Sequence, residues 1–308
     1  MAAAALLIAA SGGNEAGSDE AWSGQDQKCQ ECHDETSELP ALGIFQTVHA
    51  FQGDERTPFG SGQGCAACHG DGAAHMRATA PGEKRAPMGI LFAAGAPAGP
   101  KNAACLACHQ GGTRLHWQGG AHETAGNACS DCHRVHAAKD PMLVKDRTPG
   151  TWRRGQADGC FGCHPQQRAE MHRVSAHPFK EGIVRCSDCH NVHGTIGPAE
   201  LTKPTVNETC HSCHAEKRGP FLWEHQPARE DCGTCHKPHG SNHPALLVQR
   251  APFLCQQCHM AGFHPSGAYT ASGLPGPGAD DHLLSRNCMN CHPEVHGTNH
   301  PSGPRLTR

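Results

Sequence analysis

Every cysteine in this chain stands in a pair spaced by two residues, and each pair is followed directly by histidine. The run C-x-x-C-H occurs ten times in 308 residues and accounts for all 20 Cys. The pairs are Cys29 and Cys32, Cys65 and Cys68, Cys105 and Cys108, Cys129 and Cys132, Cys160 and Cys163, Cys186 and Cys189, Cys210 and Cys213, Cys232 and Cys235, Cys255 and Cys258, and Cys288 and Cys291. The histidines that close them are His33, His69, His109, His133, His164, His190, His214, His236, His259 and His292.

A dense, even cysteine count in an exported chain ordinarily signals a disulfide scaffold. Zinc ribbons and redox dithiols also use the two-residue spacing. None of these needs a histidine fixed after each pair. C-x-x-C-H is the attachment signature for c-type haem. Two thioether bonds hold the porphyrin edge, and the adjacent imidazole reaches the iron as proximal ligand. Ten motifs imply ten haem c groups, with the 20 Cys as attachment points and the ten following His as proximal ligands.

The composition suits such a chain. Gly (37) and Pro (23) are abundant, while aromatics make up only 5% of residues. A polypeptide of this kind has little with which to build a side-chain core, so the haems are expected to supply the apolar mass. The expected fold is a multihaem cytochrome c: irregular coil with short α-helices, an elongated file of haems and almost no β-sheet. One short helix is expected over 166–177. Without haem the chain is expected to be unfolded. The formal charge of −3 becomes more negative once haem propionates are added, which argues against nucleic acid as a partner.

Residues 2–10 form an apolar run ending in small side chains, like the core of a secretory signal, although the first basic residue is Lys28. The stretch is too short to span a bilayer. Residues 1–24 therefore read as a residual signal or leader, and 25–308 as one extended cytochrome domain. Export is expected, because bacterial c-type haem attachment takes place outside the cytoplasm.

The ten motifs alternate in their surroundings. Those at Cys65, Cys129, Cys186, Cys232 and Cys288 carry a further histidine downstream: His75, His136, His193, His239 and His296. For the last four a proline follows five residues later, at Pro141, Pro198, Pro244 and Pro301. The same motifs have histidines upstream, clearest at His122, His177 and His225. The chain thus divides into five two-haem modules, about 29–75, 105–136, 160–193, 210–239 and 255–296. Such repeats stack against their neighbours.

Two spare histidines per module are enough to give every iron a second axial ligand, and the modular spacing predicts that each module supplies its own. An iron with imidazole on both faces has no open position for substrate, which suits electron transfer rather than catalysis. The distal candidates are His49, His75, His122, His136, His177, His193, His225, His239 and His296, with the fifth module's upstream ligand contested between His264 and His282. Spacing to Cys288 favours His282. The remaining His116, His172, His211, His243 and His300 read as hydrogen-bond partners of propionates, and Trp117, Trp152 and Trp223 as packing against porphyrin.

Several stretches resemble the MtrA/DmsE family of decahaem cytochromes, which includes the PioA and MtoA proteins of iron-oxidising bacteria. They are CHAEKRGPFLWEH (213–225), CGTCHKPHGSNHPALLVQRAPFLCQQCH (232–259) and CMNCHPEVHGTNHPSG (288–303), with GGAHETAGNACSDCHRVHAAKDP (119–141) and CSDCHNVHG (186–194) in support. The resemblance covers about 25–308. It implies His264 as the distal ligand of the fifth module. It also implies a rod-like periplasmic electron carrier, associated with the outer membrane through a porin-like β-barrel. Its partners would then be periplasmic redox proteins and an outer-surface multihaem cytochrome, for reduction of extracellular metal or oxidation of Fe(II). The chain departs from the family at Ala121, where a second histidine is expected, and in its extra His116, His172 and His211. A soluble periplasmic carrier feeding a terminal reductase is the alternative. A substrate-converting multihaem enzyme is disfavoured, because all ten motifs are regular and spare histidine suffices for all.

Overall fold

The computed structural model describes residues 24–37, 41–143, 156–259, 288–301 and 303–307. The expected leader, Trp152, His264 and His282 lie outside these. The described chain forms two compact units, one of residues 1–91 with 136–138 and the other of 92–135 with 139–308.

Regular structure is sparse, as the composition predicts. Five short helices run into the first cysteine of alternate motifs: Gly24–Gln30, Ala98–Leu106, Gln156–Phe161, Val206–His211 and Ala251–Gln256. The intervening motifs are single turns, α-helical at Ala66–His69, Cys129–Cys132 and Cys186–Cys189, and 3-10 at Cys232–Thr234 and Cys288–Asn290. Helix Val206–His211 starts on a threonine N-cap. The Thr205 hydroxyl accepts from the Glu208 N–H at 3.1 Å and donates to Glu208 Oε2 at 3.1 Å. Strand pairing among the described residues is limited to four isolated bridges: Ser175 with Ser241, His190 with Leu201, Trp223 with Thr298, and His236 with Leu247.

The helix expected over 166–177 is shorter. It spans Pro165–Glu170 and stops because Ser175 is drawn into extended pairing with Ser241. Their backbones exchange hydrogen bonds of 2.9 and 2.7 Å. Close approach also fixes the glycine after His239. Gly240 sits at φ +153, and a Cβ there would collide with the Glu170 carbonyl. Gly240→Ala should destabilise the haem-loaded protein by about 1–3 kcal/mol, read as a lowered thermal midpoint. Gly99→Ala, where a Cβ meets open space in a helix, should be neutral or slightly stabilising.

The side-chain core is small. Phe161, Met171 and Phe179 form one buried cluster. Among the described residues the other buried apolar ones are Trp117 and the small side chains Ala50, Ala128 and Ala251.

Candidate haem-binding sites

Each two-motif module is drawn together at its first cysteines. Hydrogen-bonding thiol pairs join Cys29 to Cys65, Cys105 to Cys129, Cys160 to Cys186, Cys210 to Cys232 and Cys255 to Cys288. Between modules, the second cysteines come within electrostatic reach of one another, Cys132 of Cys163, Cys189 of Cys213 and Cys235 of Cys258. From Cys129 to Cys258 the motifs therefore follow one another in space in chain order. Burial raises the pKa of the Cys210 and Cys255 thiols. Hydrogen bonding from Cys105 and Cys160 lowers that of Cys129 and Cys186.

The residue that locks each pair of motifs together was not singled out in the sequence. Asp26 accepts from the Cys65 N–H at 2.9 Å, Asn102 from Cys129 N–H at 2.8 Å, and Asn207 from Cys232 N–H at 2.7 Å. All three stand three residues before the first cysteine of their module, a recurrence visible in the chain once its role is known. In the third module Gln156 takes over, accepting from the Ser187 N–H at 3.1 Å.

Sixteen of the candidate histidines meet in eight pairs of imidazoles. The pairs are His33 with His75, His69 with His136, His122 with His164, His133 with His193, His177 with His214, His190 with His239, His225 with His259, and His236 with His296. Their centroids lie 6.0–6.3 Å apart, yet the angle between ring planes ranges from 9° to 86°. Rings in direct contact change their spacing as they change angle. A constant spacing with free rotation is the geometry of two ligands on one axis. Metal–imidazole bonds of roughly 2 Å plus a ring radius of ~1.1 Å at each end give a separation of about 6.2 Å. The residues thus fit a six-coordinate iron between each pair, beside the thiols that would hold its porphyrin.

Hydrogen bonding orients the rings for this. A carbonyl can only accept, so each Nδ1 facing one is the protonated nitrogen, and Nε2 is left free as a ligand. His75 donates to Ala86, His177 to Pro238, His190 to Ala199, His225 to Val295, His236 to Ala245 and His292 to Arg305, at 2.6–2.9 Å. Two of these carbonyls are aimed by left-handed backbone at residues other than glycine, φ 49 and 55 at Ala199 and Glu200, and φ 54 and 59 at Ala245 and Leu246. Such strain concentrates at functional sites. Burial depresses the pKa of His69, His193, His239 and His296, favouring the neutral form that can bind metal.

The partnerships depart from the expectation that each module serves itself. Only His33 and His75 belong to one module. The other seven pairs join neighbours, as His133 of the second module meets His193 of the third. At two of the joints the bridges explain the exchange. Ser175 with Ser241 and Trp223 with Thr298 clamp the segment before one module's upstream histidine to the segment after the next module's downstream histidine. His177 and His239 are thereby brought together at one joint, and His225 and His296 at the next. Each then faces the proximal histidine across the joint.

Three further histidines complete the candidates. His49 lies in the first unit beside His136, with its pKa lowered by burial, and His109 lies in the second unit. His292 is described, whereas its two contested partners are not. Trp117 is buried and lies 6.3 Å from the His193 ring. His243 and His300 occupy matching positions, their N–H groups donating to the Ser241 and Thr298 hydroxyls.

Repeated C-x-x-C-H motifs facing paired imidazoles define a multihaem c-type cytochrome, a class of electron carriers. The doubled CXXCH motif family matches residues 177–219 and 225–263, and the cytochrome c-type protein NrfB-like family matches residues 65–149. The multiheme cytochrome MtrA of Shewanella baltica (strain OS185) is 43% identical over 284 residues, covering 91% of this chain and 80% of that protein. The chain belongs to the MtrA family.

Proposed function

We propose that the chain carries ten haem c groups, one on each C-x-x-C-H motif, and passes electrons along them between the periplasm and the cell exterior. The observation that carries this reading is the set of eight imidazole pairs at constant separation. Haem supplies an iron that takes up and releases one electron, and the protein's residues fit it for that alone. Two histidines close both faces to substrate and hold the same coordination in either oxidation state. From Cys129 to Cys258 the order of the cysteines keeps consecutive sites adjacent.

In this reading His264 serves the motif at Cys288. No helix among the described residues is long and apolar enough to cross a membrane. Membership of the MtrA family supports a porin-like β-barrel of the outer membrane as the partner that provides the passage. Periplasmic redox proteins then stand on one side, and an outer-surface multihaem cytochrome, extracellular metal oxide or Fe(II) on the other. The test is fractionation of native cells followed by mild detergent extraction. Co-purification of the cytochrome with an outer-membrane barrel protein is the expected result. Recovery of the whole pool in the soluble periplasmic fraction would overturn the conduit and favour a carrier to a terminal reductase.

A further inference from the structure

Two of the candidate ligands break the pattern of carbonyl partners, and they fall on neighbouring sites. The upstream histidines His177 and His225 donate to the carbonyl just before the downstream histidine they meet, at Pro238 and Val295. His122 holds the equivalent place at the preceding joint, but its Nδ1 lies 3.0 Å from Glu200 Oε2. The proximal His190 and His236 donate to carbonyls of their own loops. Their counterpart His133 instead lies 2.6 Å from Asp140 Oδ2.

Both carboxylates are built into place. Glu200 and Asp140 side chains are only 12% and 13% exposed. Glu200 occupies the left-handed position that Leu246 fills in the next module. Its other oxygen accepts from the Ala121 N–H at 2.8 Å, at the position where the family is expected to carry a second histidine. Asp140 Oδ1 accepts from the Met142 N–H at 3.0 Å. Glu170 approaches His239 only to 3.6 Å, beyond a normal hydrogen bond.

We propose that Asp140 and Glu200 set redox potential, making the haems on Cys129/Cys132 and Cys160/Cys163 an adjacent low-potential pair within the file. A carboxylate accepting the Nδ1 proton makes the imidazole a stronger donor, and this favours the oxidised iron it binds. The buried negative charge acts in the same direction. His133 pairs with His193 for one site, and His122 with His164 for the other. The two sites adjoin, because Cys132 lies beside Cys163. Reduction would fill the flanking haems first, and electrons would cross this pair as the uphill step of the path.

The proposal rests on the ligand assignment above, and the experiment separates the two. Asp140→Asn and Glu200→Gln keep an amide oxygen as acceptor while removing the charge. In the haem-loaded protein, each is expected to move one haem from the low-potential end of a spectroelectrochemical titration to higher potential. The low-spin spectrum and haem complement should stay unchanged. Glu216→Gln is the control, since its carboxylate is exposed and 3.8 Å from His214, and should move nothing. Unchanged titrations in both carboxylate variants overturn the proposal. Loss of low-spin haem in either variant also overturns it for that residue, because its role is then structural. His122→Ala, made in parallel, should turn one haem high-spin. If it leaves every haem low-spin, the ligand assignment itself has failed.

Discussion

Chain produced without haem attachment should show coil-like circular dichroism and no cooperative thermal transition. The described structure buries only a handful of apolar side chains, with Phe161, Met171 and Phe179 as the one sizeable cluster. Each contributes about 1.5–3 kcal/mol. Ordering the backbone costs about 1–2 kcal/mol for every residue fixed. So small a side-chain core does not offset that cost, and the prosthetic groups are expected to supply the rest. The five thiol pairs and the eight histidine pairs supply the attachment points and ligands for those groups. A haem-free chain with a sharp unfolding transition would show that the polypeptide has a core of its own.

Replacing a single downstream histidine should unsettle a haem in the preceding module. His193→Ala is expected to turn one haem high-spin and raise its potential, because one imidazole and its donated electron density are lost. The iron affected should be the one on Cys129/Cys132, whose His133 faces His193 at 6.0 Å. By the same pairing, His239→Ala should act at Cys186/Cys189 and His296→Ala at Cys232/Cys235. His211→Ala should leave the spin state of every haem as it was. The spin balance is read by electron paramagnetic resonance of the oxidised protein. A His193→Ala protein with an unchanged low-spin signal would remove His193 from the ligands.

The haem chemistry of this chain is written in its local spacing, and so is the two-motif period. The positions of the downstream histidines repeat with the motifs, so eight imidazole pairs draw on residues already marked by that rhythm. Their register is not local. Shifting every spare histidine to the neighbouring module leaves the period unchanged. Long-range contacts select one register, among them the bridges of Ser175 with Ser241 and Trp223 with Thr298, and the Ala121 N–H donated to Glu200. The same pairing cut short the helix expected over 166–177, where propensity pointed one way and a tertiary contact the other. Asn102 and Asn207 recur three residues before their cysteines, a position not singled out from the sequence, because the N–H they cap belongs to a cysteine 27 and 25 residues away. Asp140 and Glu200 stand out in the repeats as departures. Nothing in the sequence shows that they point at imidazoles.

The exchange of ligands between modules is tested most directly by combining His193→Ala with loss of one chosen haem. Cys129→Ala/Cys132→Ala removes the site that His193 is assigned to serve, and Cys186→Ala/Cys189→Ala removes a site in its own module. Haem number and the high-spin fraction are measured in each combined variant. The expected result is that the high-spin signal of His193→Ala vanishes in the first background and persists in the second. Persistence in the first background with disappearance in the second would contradict the exchange and return His193 to its own module.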